Sequence, residues 1–115
     1  MDNENSLRLQ DPDTEEAVLG LMMIRGTELA DIVIERLAED DFTMPENRMV
    51  FVAIKEMLIE GQNQLNEITI GERLIEKNQL QDVGGRVRLT KLETKVPYPL
   101  PDRDDINSYI DILKD

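Results

Sequence analysis

The chain has 115 residues, 13 Lys and Arg against 25 Asp and Glu, a formal net charge of −12, 40% hydrophobic residues and only 3% aromatic ones. A chain of this size makes one domain with one core, and its excess of carboxylates opposes direct nucleic-acid binding, because a phosphate backbone repels like charge. With no Cys and no His, a disulfide framework, the usual zinc sites and a Ser-His or Cys-His nucleophile are all excluded.

Residues 1–10 are polar and lack periodicity, which predicts a disordered N-terminal arm. Asp11-Pro12 suits a helix entrance, with Asp11 as cap and Pro12 at the first position. Asp13, Glu15 and Glu16 then fall in the first turn, where the helix dipole favours carboxylates. Val18, Leu19, Met22 and Met23 share one helical face. Gly20 inside that helix implies close packing against another helix, since Gly otherwise costs about 1 kcal/mol there. Arg25-Gly26 ends the helix with a cation and a left-handed cap.

Thr27 is expected to cap a second helix, whose stripe is Leu29, Ile32, Val33 and Leu37. Glu39-Asp40-Asp41 closes it, and Phe42 follows as a core anchor. Thr43-Met44-Pro45-Glu46 fits a capping box for a third helix, lined by Val50, Phe51, Ile54, Met57 and Leu58 and stopped by Gly61. Asn66 caps a fourth helix through Ile70, Leu74 and Ile75, ending near Asn78. Val87 and Leu89 alternate with Arg86, Arg88 and Thr90 as in a strand, and Gly84-Gly85 before them suits a hairpin.

Val96-Pro97-Tyr98-Pro99-Leu100-Pro101 cannot be helical, because Pro lacks an N–H and forces its neighbour to extend. It reads as a stiff linker over 96–104. One acid among Asp102, Asp104 and Asp105 caps the last helix. Ile106, Tyr109, Ile110 and Leu113 give that helix a clean apolar stripe that is still running at Asp115. No apolar run approaches the roughly 20 residues of a membrane span and no signal pattern is present, so a soluble, cytoplasmic protein is expected.

Gly84-Gly85 is followed by Arg86 and Val87, so no Gly-x-x-x-x-Gly-Lys-Ser/Thr loop cradles a nucleotide phosphate. Asp102, Asp104 and Asp105 fail as a calcium loop, because its sixth position would be Asn107 and its twelfth Leu113. Pro12-Asp13 with Glu93-Thr94-Lys95 matches a metal-dependent nuclease pair only loosely, and helix capping accounts for Asp13. The methionines fit core filling better than a groove. Arg88, Lys91 and Lys95 would share a face of a helix, balanced by the acidic surface in the first reading, or else set against an acidic neighbouring protomer or, as a weaker alternative, DNA.

Glu15 through Gly20, Asp41-Phe42 with Arg48 and Phe51, Ile68-Thr69-Ile70, and Asp82-Val83-Gly84-Gly85 occur in an order and spacing that resembles the N-terminal domain of DnaB-type replicative DNA helicases, over about residues 9–114. The resemblance implies an all-α fold, a compact bundle of about six short helices, with 86–95 helical from about Gly85. It implies a bundle over 11–95 and at 105–115 the first arm of a truncated helical hairpin, while the proline-rich linker over 96–104 looks longer than the family's loop. Glu15, Val18, Leu19, Gly20, Phe42, Arg48, Phe51, Val83, Gly84 and Gly85 would be the family's structural positions. Asn47 stands where the family often has His.

What the family does is then expected here: a non-catalytic collar domain that organises a hexamer and docks primase or a loader during DNA replication. No cofactor, no nucleic acid and no membrane is expected for this domain; full-length relatives would be ATP-dependent 5′–3′ helicases. The partners would be other copies, as dimer or hexamer, the primase C-terminal domain and a helicase loader. Ile106, Tyr109, Ile110 and Leu113, uncovered without the second hairpin arm, are the expected self-association surface. The alternative is a free-standing regulator or decoy that binds a helicase or primase.

Overall fold

Six α-helices and one 3-10 turn organise residues 11–114, the span that the computed structural model of the protein describes. The arm expected at residues 1–10 lies outside the described residues. Asp11 caps α1 (Pro12–Arg25), its Oδ1 accepting the Thr14 N–H at 3.1 Å, with Pro12 at the first position. The single apolar stripe expected for α1 widens to nearly the whole helix: Leu21 is as fully buried as Val18, Leu19 and Met22. α1 is the central helix, against which every other helix packs except Glu67–Glu76, which lies on the helices Pro45–Ile59 and Gly85–Thr94.

Gly26 alone joins α1 to α2 (Thr27–Arg36), at φ 72° and ψ −152°. The φ is positive as expected, but the ψ lies outside the left-handed helical well. Thr27 is the first helical residue and caps nothing, because a one-residue connection leaves the cap position to Gly26. Leu37 has left the helix for an extended conformation while its side chain stays in the core. Glu39–Asp41 forms a separate 3-10 turn rather than the end of α2. Phe42 is fully buried and stacks on Phe51, with ring centroids 4.6 Å apart.

α3 (Pro45–Ile59) lacks the expected capping box: no side chain of its own caps it. Thr43 gives both its N–H and its hydroxyl to Glu15 instead. Asn66 caps α4 (Glu67–Glu76) as expected, accepting the N–H groups of Ile68 at 2.9 Å and Thr69 at 3.0 Å. Ile70 and Leu74 are buried but Ile75 is half exposed, so the stripe of α4 is narrower than its sequence suggests.

Gly84 and Gly85, at φ 102° and 77°, turn the chain into α5 (Gly85–Thr94), a path that side chains with a Cβ rarely take. The strand-like alternation loses to tertiary packing. Leu89 and Leu92, three apart, are buried, while Val87, which a strand would place with Leu89, is 67% exposed.

Residues 96–102 are non-helical, with a cis Tyr98–Pro99 bond, but they are pinned to the bundle: Arg25 Nη2 donates to the Pro101 carbonyl at 3.2 Å. α6 (Arg103–Lys114) starts two residues before the expected position. Asp102 and Asp105 trade bonds there, each carboxylate accepting the other's N–H. The stripe expected to stand uncovered is covered: Ile106 and Ile110 are 0% exposed, in the same core as α1 and α2. Tyr109 and Leu113 lie half-buried at its edge. α6 packs against α1 and α2.

Candidate docking cleft

Two adjacent carboxylates on α1 point to opposite fates. Glu15 is fully buried; one oxygen accepts the Thr43 N–H at 2.8 Å and the Thr43 hydroxyl at 2.7 Å. The other accepts Asn47 Nδ2 at 2.9 Å, with the Met44 N–H more distant at 3.4 Å. Glu15 thus fixes the segment that leads into α3, holding residues 43 and 44 and the Asn47 side chain from another helix, and a buried carboxylate is tolerable only when hydrogen-bonded in this way.

Asn47, also fully buried, turns its Oδ1 to Arg88 Nη2 on α5 at 2.5 Å. The same Nη2 donates to Glu16 at 2.9 Å, and Lys95 Nζ lies 3.5 Å from the other Glu16 oxygen. A single polar chain runs from the buried Glu15 through Asn47 and Arg88 to Glu16 and Lys95, binding α1, α3 and α5 together. Its inner end is dry, where lost hydrogen bonds are costly; its outer ion pairs are half-solvated and individually weak.

The outer end opens on a cleft of about 360 Å³ between α1 and α5, lined by Glu16, Gly84, Val87, Arg88, Lys91, Leu92 and Lys95. Val87 and Leu92 are its apolar part; Arg88, Lys91 and Lys95 supply cations against the one carboxylate. Arg88 and Lys95 are balanced internally by Glu16, as one reading of the sequence expected. Lys91 is exposed and has no ion pair among the described residues. Such a lining can hold an acidic group beside an apolar one.

The residues singled out in the sequence fall in several places. Glu15, Phe42, Arg48 and Phe51 converge where α1 meets the entrance of α3; Arg48 Nε and Nη2 both donate to the Phe42 carbonyl, at 3.2 and 3.1 Å. Val18 and Leu19 are in the core, and Val83, Gly84 and Gly85 form the turn into α5. Gly20 lies at the α1–α5 crossing, where a Cβ would run into the Leu92 carbonyl oxygen and approach Val96 Cγ2 at 2.8 Å. Ile106, Tyr109, Ile110 and Leu113 take no part in the cleft. Reading by sequence missed Glu16 as a cleft wall and Asn47 as the relay. A signal for Glu16 existed: it lies four residues before Gly20, so both face the helix that Gly20 admits.

The sequence profile described as DnaB-like helicase N terminal domain matches residues 8–115. The chain is 27% identical over 118 residues to a replicative DNA helicase DnaB of Buchnera aphidicola, covering 100% of this chain and 24% of that protein. It is 29% identical to the replicative DNA helicase DnaB of Haemophilus influenzae, covering 90% of this chain and 21% of that protein. The chain therefore spans only about a quarter or less of the length of these relatives. Among solved structures, it superposes with a TM-score of 0.79 on the N-terminal domain of DnaB helicase from Mycobacterium tuberculosis, at 28% identity, covering 90% of this chain and 68% of that one. Among the described residues, no helix is long and apolar enough to cross a membrane.

Proposed function

This chain belongs to the DnaB-like helicase N-terminal domain family, and from that premise we propose that it serves a replicative DNA helicase as its collar. It works by contact and not by chemistry, needs no cofactor, and acts in the cytoplasm. It orders the copies of the hexamer and presents a docking surface to the C-terminal domain of primase, with a helicase loader as a further partner.

The observation that carries this reading is the family match along residues 8–115. The architecture supports it: a rigid helical body, cross-braced by the Glu15–Asn47–Arg88 relay, whose cleft is equipped for contact. The test is calorimetric titration of the purified chain with the C-terminal domain of the primase from the same organism. Saturable binding is expected. Absence of binding at the highest soluble concentration would remove the primase-docking role.

A further inference from the structure

α5 and α2 carry charge stripes of the same spacing and opposite sign. On α5 and its end, Arg88, Lys91 and Lys95 stand at i, i+3 and i+7 along the cleft. On α2, Glu28, Asp31 and Glu35 stand at i, i+3 and i+7, all exposed. Neither Lys91 nor any of the three α2 acids has an ion pair among the described residues. Both helices pack on α1. Residues three and four apart share a helix face, and seven residues span about 10 Å, so the two rows match in length; Glu16 already pairs Arg88 and Lys95, which leaves Lys91 as the cation of the row open to a carboxylate of another copy.

We infer that the cleft is a docking site for the acidic α2 stripe of a second copy of this chain. The inference rests on the self-association proposed above and names its surface. Charge complementarity selects the occupant. The chain carries a net charge of −12, yet concentrates Arg86, Arg88, Lys91 and Lys95 within ten residues. A surface so acidic elsewhere makes a copy of itself a ready source of a carboxylate row. Val87, 67% exposed in the same cleft, adds an apolar contact that the row would cover. Complementary rows of this kind set register and partner choice more than raw affinity. α6 cannot supply this contact through Ile106 and Ile110, which the fold itself has buried.

A charge swap tests the contact better than salt does. Added salt weakens the local attraction and also relieves the repulsion between two acidic molecules, so its net sign is ambiguous. Lys91→Glu, Asp31→Lys and the double variant are compared with the unaltered chain by sedimentation equilibrium, with circular dichroism to verify the fold. Each single reversal is expected to weaken association roughly tenfold, by turning an attraction into a repulsion. The double variant, in which cation and carboxylate have changed places, is expected to return to within about threefold of the unaltered chain. Association that neither reversal weakens would overturn the cleft as its site and leave self-association standing. A chain that stays monomeric at every concentration would remove both. Anisotropy with a labelled single-stranded oligonucleotide provides a second arm: Lys91-dependent binding there, without self-association, would assign the cleft to nucleic acid and overturn the inference.

Discussion

Glu15 on α1 holds the Thr43 N–H at 2.8 Å across a separation of 28 residues, so that one helix fixes the approach to another. The bond sets the path of the chain into α3, which begins at a Pro after a Met without a capping side chain of its own. It also places a carboxylate where water cannot replace the lost partners.

Replacing Glu15 tests that dependence. Glu15→Ala leaves the Thr43 N–H and the Asn47 amide without their acceptor, and is expected to destabilise the domain by about 3 kcal/mol. Glu15→Gln keeps the volume but converts one acceptor into a donor facing donors, so it should remain clearly destabilised. Urea denaturation of both variants provides the check; a Glu15→Ala protein within error of the original would refute the account.

Gly20→Ala sets propensity against packing. On an isolated helix the change would help by about 1 kcal/mol. Here the added methyl meets the Leu92 carbonyl oxygen, which is backbone and cannot swing aside. α5 must move off α1, at a net cost of about 2 kcal/mol. Thermal melts should show a lowered midpoint, and a raised one would mean that the crossing is looser than described.

Ile110 separates a core role from an interface role for α6. Because it is 0% exposed, Ile110→Ala should cost about 3 kcal/mol in the monomer's own stability. If the stripe served only to join copies, the dilute protein would keep its denaturation midpoint.

Two carboxylates give opposite signs with pH. Burial, reinforced by the nearby Glu67 charge, raises the Glu93 pKa above its ordinary value. The folded state is therefore penalised when Glu93 is ionised. That penalty is complete above the raised folded pKa and vanishes as pH falls below the unfolded value. Glu93→Gln should accordingly stabilise the domain at neutral pH, with the advantage closing in acid. Asp102 is the reverse: the Asp105 N–H, chiefly, lowers its pKa. Its contribution is present above the unfolded value and lost as pH falls through the depressed folded one. Asp102→Ala should be destabilised at neutral pH and converge with the original in acid. Parallel melts from pH 7 downward decide both, and same-signed shifts would sink the assignment.

Much of the architecture can be read along the chain because it is local. Asp11-Pro12 and Asn66 cap helices by bonds that reach two or three residues, and the stripe of α3 repeats within a turn or two. The close approach at Gly20 was legible for a similar reason: a Gly inside a helix is a local cost that only packing offsets. The basic face of α5 was also visible, once α5 was taken as a helix.

The places where local reading failed share one cause. Thr43 had a box partner available at Glu46, but a carboxylate on another helix was better placed. Residues 86–95 alternate like a strand, yet Leu89 and Leu92 find a core only in helical form. The α6 stripe looked unpartnered because nothing in its own residues says that α1 and α2 lie against it. Helix periodicity, caps and charge depend on neighbours a turn away, so the sequence alone determined an all-helical body and its acidic balance. Which helix shelters which carboxylate, and which stripe is covered, depends on groups tens of residues apart, and burial across those distances was decided only when the helices packed.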